Sequence, residues 1–200
     1  MTLYEIATRA LPAEALCGID ERDCVSADRI ARAVEASGYG SAAAHRTAIL
    51  RAIGEHLRAY DDAGEALRWL ARLDQRLATW GACACAREVL RYVRDGEERP
   101  LRAIETTERW IAGQTTLDDV QLARTVAWRA CRDSSSADAA AYVSAAYAAS
   151  DTTTYSFGAA AVYAANGAAY AVNDRRSAPA WAAAHTAELR RLVAVIADAL

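Results

Sequence analysis

Apolar side chains recur along most of the chain at intervals of three and four residues, the spacing that places them on one face of an α-helix. The stripe formed by Leu50, Ile53 and Leu57 is one example, and the leucines from Leu67 to Leu77 form another. No segment alternates apolar and polar side chains over the length of a β-strand. The pattern therefore predicts an all-α protein.

Residues that favour helix N-caps divide this pattern into separate helices. Thr2, Ser26, Ser41, Asp62 and Thr116 each precede a helical segment, and each side chain can accept a hydrogen bond from a free backbone N–H of the first turn. The predicted helices cover residues 2–10, 27–36, 41–60, 62–94 with a break or kink at Gly81, 100–112, 117–132, 137–149, 154–172 and 178–198.

One predicted helix has a distinctive start and a mixed surface. Pro100 lies in its first turn, where the missing proline N–H costs nothing, and Ile104 and Ile111 are its predicted core residues. Its charged residues are spaced for exposed pairs three and four residues apart. A fixed polar network between Arg99 and Glu105 at the start of the helix is the alternative interpretation.

Short connections between the predicted helices favour antiparallel packing of neighbours. We therefore predict a compact bundle of about eight to ten antiparallel-packed helices with short loops. A length of 200 residues is typical of one domain. We expect residues 1–200 to form a single all-α domain, with 1–60 as a candidate N-terminal helical subdomain and 61–200 as the helical core.

Composition supports the helical prediction and excludes one class of partner. The chain is rich in Ala, the best helix former, and contains only 10 Gly and 3 Pro. Its 23 basic residues are all Arg, and the formal net charge is -3. Proteins that bind nucleic acid need a basic face to neutralise phosphates. We therefore expect no nucleic-acid partner.

The N-terminus and the cysteines favour a cytoplasmic protein. The first residues lack the basic and apolar regions of a signal peptide. Five Cys occur at irregular spacings without a CxxC motif, which favours reduced thiols over disulfides or a metal site. Residues 152–173 carry no charge, but their bulk is Ala with several polar residues, so we predict a buried bundle helix rather than a membrane span.

No catalytic motif is present, so the sequence predicts no catalytic, cofactor-binding or metal-ligating residues. The chain lacks a G-x-S-x-G motif, a Gly-rich phosphate loop and an H-E-x-x-H motif. His45 and His56 are three helical turns apart, roughly 16 Å along the axis, which is too far to share one metal ion. His185 stands alone in an Ala-rich helix. We interpret all three as ordinary histidines and predict a protein that is not an enzyme.

The segment from Ser134 to Asp174 is the most unusual part of the chain, because it contains no Arg, three acidic residues and five of the nine Tyr. Tyr is enriched at protein interfaces, and acidic residues around it suit a basic partner. Alternatively, these Tyr fill the spaces between Ala-rich helices of the core. The candidate partner-binding residues are Asp138, Tyr142, Tyr147, Asp151, Tyr155, Tyr163, Tyr170 and Asp174.

Three stretches of the chain resemble a bacterial family of immunity proteins that protect against polymorphic toxins. They are Cys85-Ala86-Arg87-Glu88-Val89-Leu90, Arg99-Pro100-Leu101-Arg102-Ala103-Ile104-Glu105 and Trp110-Ile111-Ala112-Gly113, followed by Ala-rich helices. The similarity covers roughly residues 65–175, and 99–113 is its most specific part.

The resemblance implies a cytosolic protein that binds and neutralises a cognate bacterial toxin by stoichiometric protein–protein contact. Its partner would be a protein toxin, and a basic toxin would suit the mild negative charge of this chain. The resemblance implies no membrane partner and no cofactor. The alternatives are a helical scaffold or adaptor, or a homodimer formed through the Ala-rich helices. An enzyme or a small-ligand binder is the less favoured class.

Overall fold

The computed structural model describes residues 1–17, 19, 26–131, 159–172 and 178–200, and these residues form an all-α fold. The helices are α1 (Leu3–Ala10), α2 (Ala27–Ala36), α3 (Ala42–Leu57), α4 (Ala63–Leu73), α5 (Gln75–Glu88), α6 (Arg99–Ile111), α7 (Leu117–Ala130), α8 (Ala159–Val172) and α9 (Ala178–Ala199). Short 3-10 helices occupy Ala13–Leu16 and Leu90–Tyr92. The prediction of an all-α bundle is confirmed.

The predicted N-caps form as the sequence indicates. Ser26, Ser41 and Asp62 each accept a hydrogen bond from the backbone N–H three residues later. Thr2 and Thr116 form full capping boxes, in which the acidic residue at the third helical position bonds back to the cap N–H. Local sequence therefore determines where these five helices begin.

The predicted break at Gly81 is wrong, because α5 runs through this residue without interruption. The break lies at Asp74, which ends α4 and caps α5 by accepting a hydrogen bond from the Arg76 N–H at 2.8 Å. Gly81 instead permits close packing. A Cβ there would lie 2.8 Å from Leu67 Cδ2 and 3.0 Å from Ile196 Cγ2.

A single cluster of buried apolar side chains links the two ends of the chain. Ile6 of α1, Ile53 of α3, Leu70 of α4, Ile104 of α6 and Ile196 of α9 all belong to it. Helices α5 and α9 lie at its centre, because each packs against four other helices of the described part of the chain. Residues from the first sixty positions therefore share a core with residues of the C-terminal helix.

Helix α8 is uncharged and lies inside the bundle, packed against α4, α5 and α9. Its Ala160, Ala161, Ala164 and Ala165 are fully buried, and their small side chains allow the neighbouring helices to approach closely. This confirms the predicted buried helix over the part of 152–173 that the structure describes. None of the described helices combines the length and the apolarity needed to cross a membrane.

Helix α6 packs on α5 and carries α7 on its other side. Pro100, Ala103 and Ile104 bury one face of α6, while Ile111 is only half-buried, so the prediction of a core role for Ile111 is wrong. Ile111 is the last residue of α6, so no further helical turn follows it. Helix α7 packs on α6 and leaves Leu122 66% exposed.

Candidate functional site

Three aromatic rings, of which one is exposed and two are half-buried, lie where α8 ends and α9 begins. Tyr170 in the last turn of α8 is 43% exposed, and its ring contacts that of Trp181 at a centroid distance of 6.0 Å. Trp181 in turn stacks on His185, with ring centroids 5.0 Å apart and planes inclined by 15°. We call Tyr170, Trp181 and His185 the aromatic surface.

The local sequence explains why these three rings meet. Trp181 and His185 are four residues apart on α9, which places them one above the other on the same helix face. Helices α8 and α9 are neighbours in the bundle, so the end of α8 brings Tyr170 alongside the first turns of α9. Two rigid helices therefore hold the stack.

Two polar atoms of the aromatic surface are buried and unpartnered. Trp181 Nε1 and His185 Nε2 have no hydrogen-bond partner within the described part of the chain. Leaving a buried polar group without a partner costs about 1–3 kcal/mol. A ligand or partner that supplied the missing hydrogen bonds would recover part of this cost.

The surface of α9 next to the stack is uncharged. Residues 178–187 contain no acidic or basic residue apart from His185. Ala182, Ala183, Thr186 and Ala187 are exposed there, and the Thr186 hydroxyl already donates to the Ala182 carbonyl at 3.0 Å. Small neutral side chains around aromatic rings favour contact with an apolar face of another protein over contact with a charged one.

Only two of the predicted partner-binding residues lie in the described part of the chain. Tyr163 is half-buried and Tyr170 is exposed, and both lie on α8. The other candidates, Asp138, Tyr142, Tyr147, Asp151, Tyr155 and Asp174, lie outside the described residues. Both the core and the interface interpretations of this segment therefore stay predictions, and the exposure of Tyr170 favours the interface.

The sequence pattern does not single out Trp181, and it presents His185 as an isolated histidine. Their four-residue spacing is the one signal that could have linked them. The contact with Tyr170 had no sequence signal, since eleven residues separate Tyr170 from Trp181 and only the packing of α8 on α9 joins them.

The other two histidines lie on α3 and make different contacts. His56 of α3 contacts the rings of Tyr60 and Trp69, with centroid distances of 5.8 Å and 4.6 Å. Burial lowers the pKa of His56 below its usual value, helped by the N-terminal ammonium and Arg9. His45 hydrogen bonds to the Tyr39 carbonyl. Among the described residues, no three His, Cys, Asp or Glu side chains come close enough to hold a metal ion.

The segment that carries the resemblance, 99–113, has a structural role in the described fold. Arg99 makes a two-pronged ion pair with Glu97, and this pair lowers the pKa of Glu97 to about 2. Glu108 of the same helix makes a two-pronged pair with Arg87 of α5, at 2.6 and 2.8 Å. Arg99 therefore joins the turn before α6, whereas the alternative interpretation linked it to Glu105.

Comparison with known proteins identifies the family. The family model described as Imm-5 like putative immunity protein matches residues 70–192, more than half of the chain. The match begins in the last turns of α4 and includes α5 to α8, most of α9 and the aromatic surface. No curated protein and no solved structure matches the chain. This chain therefore belongs to the family of Imm-5 like putative immunity proteins.

Proposed function

We propose that this protein is a cytosolic immunity protein that neutralises a cognate bacterial toxin by binding it stoichiometrically, without breaking bonds itself. Membership of the immunity protein family supports the toxin as the class of partner. The observation that supports this surface as the contact is the stack of Tyr170, Trp181 and His185, which lies inside the matched segment and contains two unpartnered polar atoms.

The physical basis of the proposal is that aromatic rings held by rigid helices give much contact area at a small entropic cost. Trp and Tyr dominate interface hot spots for this reason. The partner would bury Tyr170, cover the small neutral residues of α9 and place hydrogen-bonding groups near Trp181 and His185. Because this part of α9 carries no formal charge, the central contact would be apolar, and a basic toxin would be recognised at its edge.

The predicted residues beyond the described part of the chain belong to the same proposal. Asp138, Tyr142, Tyr147, Asp151, Tyr155 and Asp174 would extend the contact from the aromatic surface, with the acidic residues facing basic groups of the toxin. Alanine substitutions at these positions, examined in the binding assay below, would show which of them contact the partner.

The proposal is tested by growth rescue combined with a binding measurement. A candidate toxin encoded beside this gene is expressed with and without this protein, and the purified pair is titrated by calorimetry. We expect restored growth and a complex of 1:1 stoichiometry. Tyr170→Ala and Ala183→Arg should each weaken binding by about tenfold or more, since the first removes an anchor and the second adds a charged side chain to a neutral contact.

The matched control is Tyr39→Ala. Tyr39 is 46% exposed, close to the exposure of Tyr170, but lies before α3 and outside the matched segment. This variant should bind and rescue like the wild type. Rescue without a complex would refute the stoichiometric mechanism. Unchanged affinity in both surface variants would show that the toxin binds elsewhere, and a stable homodimer that does not bind the toxin would favour the scaffold alternative.

A further inference from the structure

A cleft of about 430 Å³ opens between α1 and α3, away from the aromatic surface and outside the family-matched segment. Its apolar floor includes Ile6, Ala48 and Ala52, and its charged lining includes Arg9 from α1 and Arg51 from α3. This volume falls within the range of small-molecule sites, which are typically apolar clefts with a few polar groups that orient the ligand.

Some arginines near the cleft have ion-pair partners and others do not. Arg46 and Arg58 of the same part of the chain pair with Asp28 and Asp198. Arg9 and Arg51, by contrast, have no ion-pair partner among the described residues.

The remaining charges at the cleft leave an excess of positive charge. The N-terminal ammonium already faces Glu5 at 3.9 Å, which leaves Glu55 as the acidic residue of the lining. With Arg9 and Arg51 set against Glu55, the lining has a net positive charge, and an anion that reached both guanidinium groups would find charge-assisted donors.

Aromatic rings lie on one side of the cleft. His56 lines it and contacts Trp69, which is 4% exposed and lines a second cleft of about 370 Å³ that also includes Arg72. The two clefts meet at Met1, which lines both of them. The positively charged rim of the first cleft therefore stands beside a rigid group of rings.

We propose that the cleft between α1 and α3 binds a small oxyanion, with the anionic group held by Arg9 and Arg51 and any apolar part of the ligand resting on Ala48 and Ala52. The site is separate from the toxin contact, so it stands independently of the proposed immunity function. A carboxylate or a phosphate group would supply the required chemistry, and the experiment below distinguishes the two.

The test uses the imidazole resonances of the full-length protein, titrated at constant ionic strength with inorganic phosphate or with benzoate. The chain contains 3 His, and the His56 resonance is assigned by its loss in His56→Gln. Charged groups from three helices surround His56. The N-terminal ammonium and Arg9 of α1 act on it directly, and Arg51 and Glu55 of α3 line the same cleft. Arg72 and Glu65 of α4 act on the neighbouring Tyr60.

We expect a saturable shift of the His56 resonance and an upward shift of the His56 pKa, because a bound anion offsets the cations that disfavour the imidazolium. Benzoate should bind more tightly than phosphate if the apolar floor contributes to the affinity. Phosphate should bind more tightly if the affinity comes from charge alone. Arg9→Gln combined with Arg51→Gln should weaken binding by about tenfold or more, since both charge-assisted donors are lost.

The control is Arg68→Gln, which removes an exposed Arg of α4 that lines neither cleft and should leave the titration unchanged. Circular dichroism verifies that each variant is folded. The proposal is overturned if neither anion shifts His56 more than chloride does, or if the double variant responds like the wild type.

Discussion

Two glycines show how single residues set the spacing between helices. A Cβ on Gly54 of α3 would lie 2.9 Å from the carbonyl oxygen of Ala197 on α9. A Cβ on Gly81 of α5 would meet the ends of the Leu67 and Ile196 side chains at 2.8 and 3.0 Å. The first contact is with backbone and the second with side-chain tips, which can move more easily.

We therefore predict that Gly54→Ala destabilises the protein more than Gly81→Ala. Overpacking of a core typically costs about 1–3 kcal/mol, and the rigid backbone oxygen should place Gly54→Ala toward the upper end. Urea denaturation measures the free energy of unfolding of each variant. Thr125→Ala, on the exposed face of α7, is the control and should stay within about 0.5 kcal/mol of the wild type. Equal stability of the wild type and both glycine variants would contradict the close packing.

At the scale of one element, the turn before α6 depends on an ion pair. Arg99 donates to both carboxylate oxygens of Glu97, and the Arg99 backbone N–H bonds to the same side chain at 3.0 Å. These contacts lower the pKa of Glu97 from 4.5 to about 2, chiefly through the side-chain hydrogen bonds from Arg99. The folded state therefore favours the ionised carboxylate.

This shift predicts how stability changes with pH. Because the pKa of Glu97 is lower in the folded state, its contribution is fully present above pH 4.5 and is lost as the pH falls toward about 2. Between these values the wild type should lose more stability than Glu97→Gln, measured as the urea midpoint at each pH. Glu98→Gln, which breaks the exposed pair of Glu98 with Arg102, should follow the wild type. Parallel curves for Glu97→Gln and the wild type would refute this role.

At the scale of the whole molecule, the shared core argues against independent unfolding of the N-terminal residues. Ile30 and Ile53 belong to the same buried cluster as Ile104 and Ile196, and α3 packs directly on α9. We therefore infer that residues 1–60 are an integral part of one domain, although they lie entirely before the family-matched segment.

The corresponding prediction is a single cooperative transition in urea. The 5 Trp all lie after position 60, whereas circular dichroism reports on every helix. Tryptophan fluorescence and circular dichroism should therefore give the same midpoint and slope. Loss of helical signal at a lower urea concentration than the fluorescence change would identify a separate N-terminal subdomain. Hydrogen exchange across α2 and α3 would then locate it.

The fold was predictable where the determinants are local. Thr2, Ser26 and Thr116 cap the helices that follow them because the capping hydrogen bond spans only three residues. The position of the break was not predictable, because Gly81 suggested a break seven residues after the true one at Asp74. A glycine weakens an isolated helix. In this fold, α5 is stabilised around Gly81 by packing against Leu67 and Ile196, which come from other helices.

The helical class, the caps and the similarity to immunity proteins can all be read from the chain alone, because they depend on spacing and residue type within short segments. The contact of Tyr170 with Trp181 and His185, and the meeting of Arg9 and Arg51 at one cleft, emerge only from the folded chain. Each of these depends on which helices pack together. Packing is settled by the combined burial of apolar faces over the whole chain, which no short stretch of sequence contains.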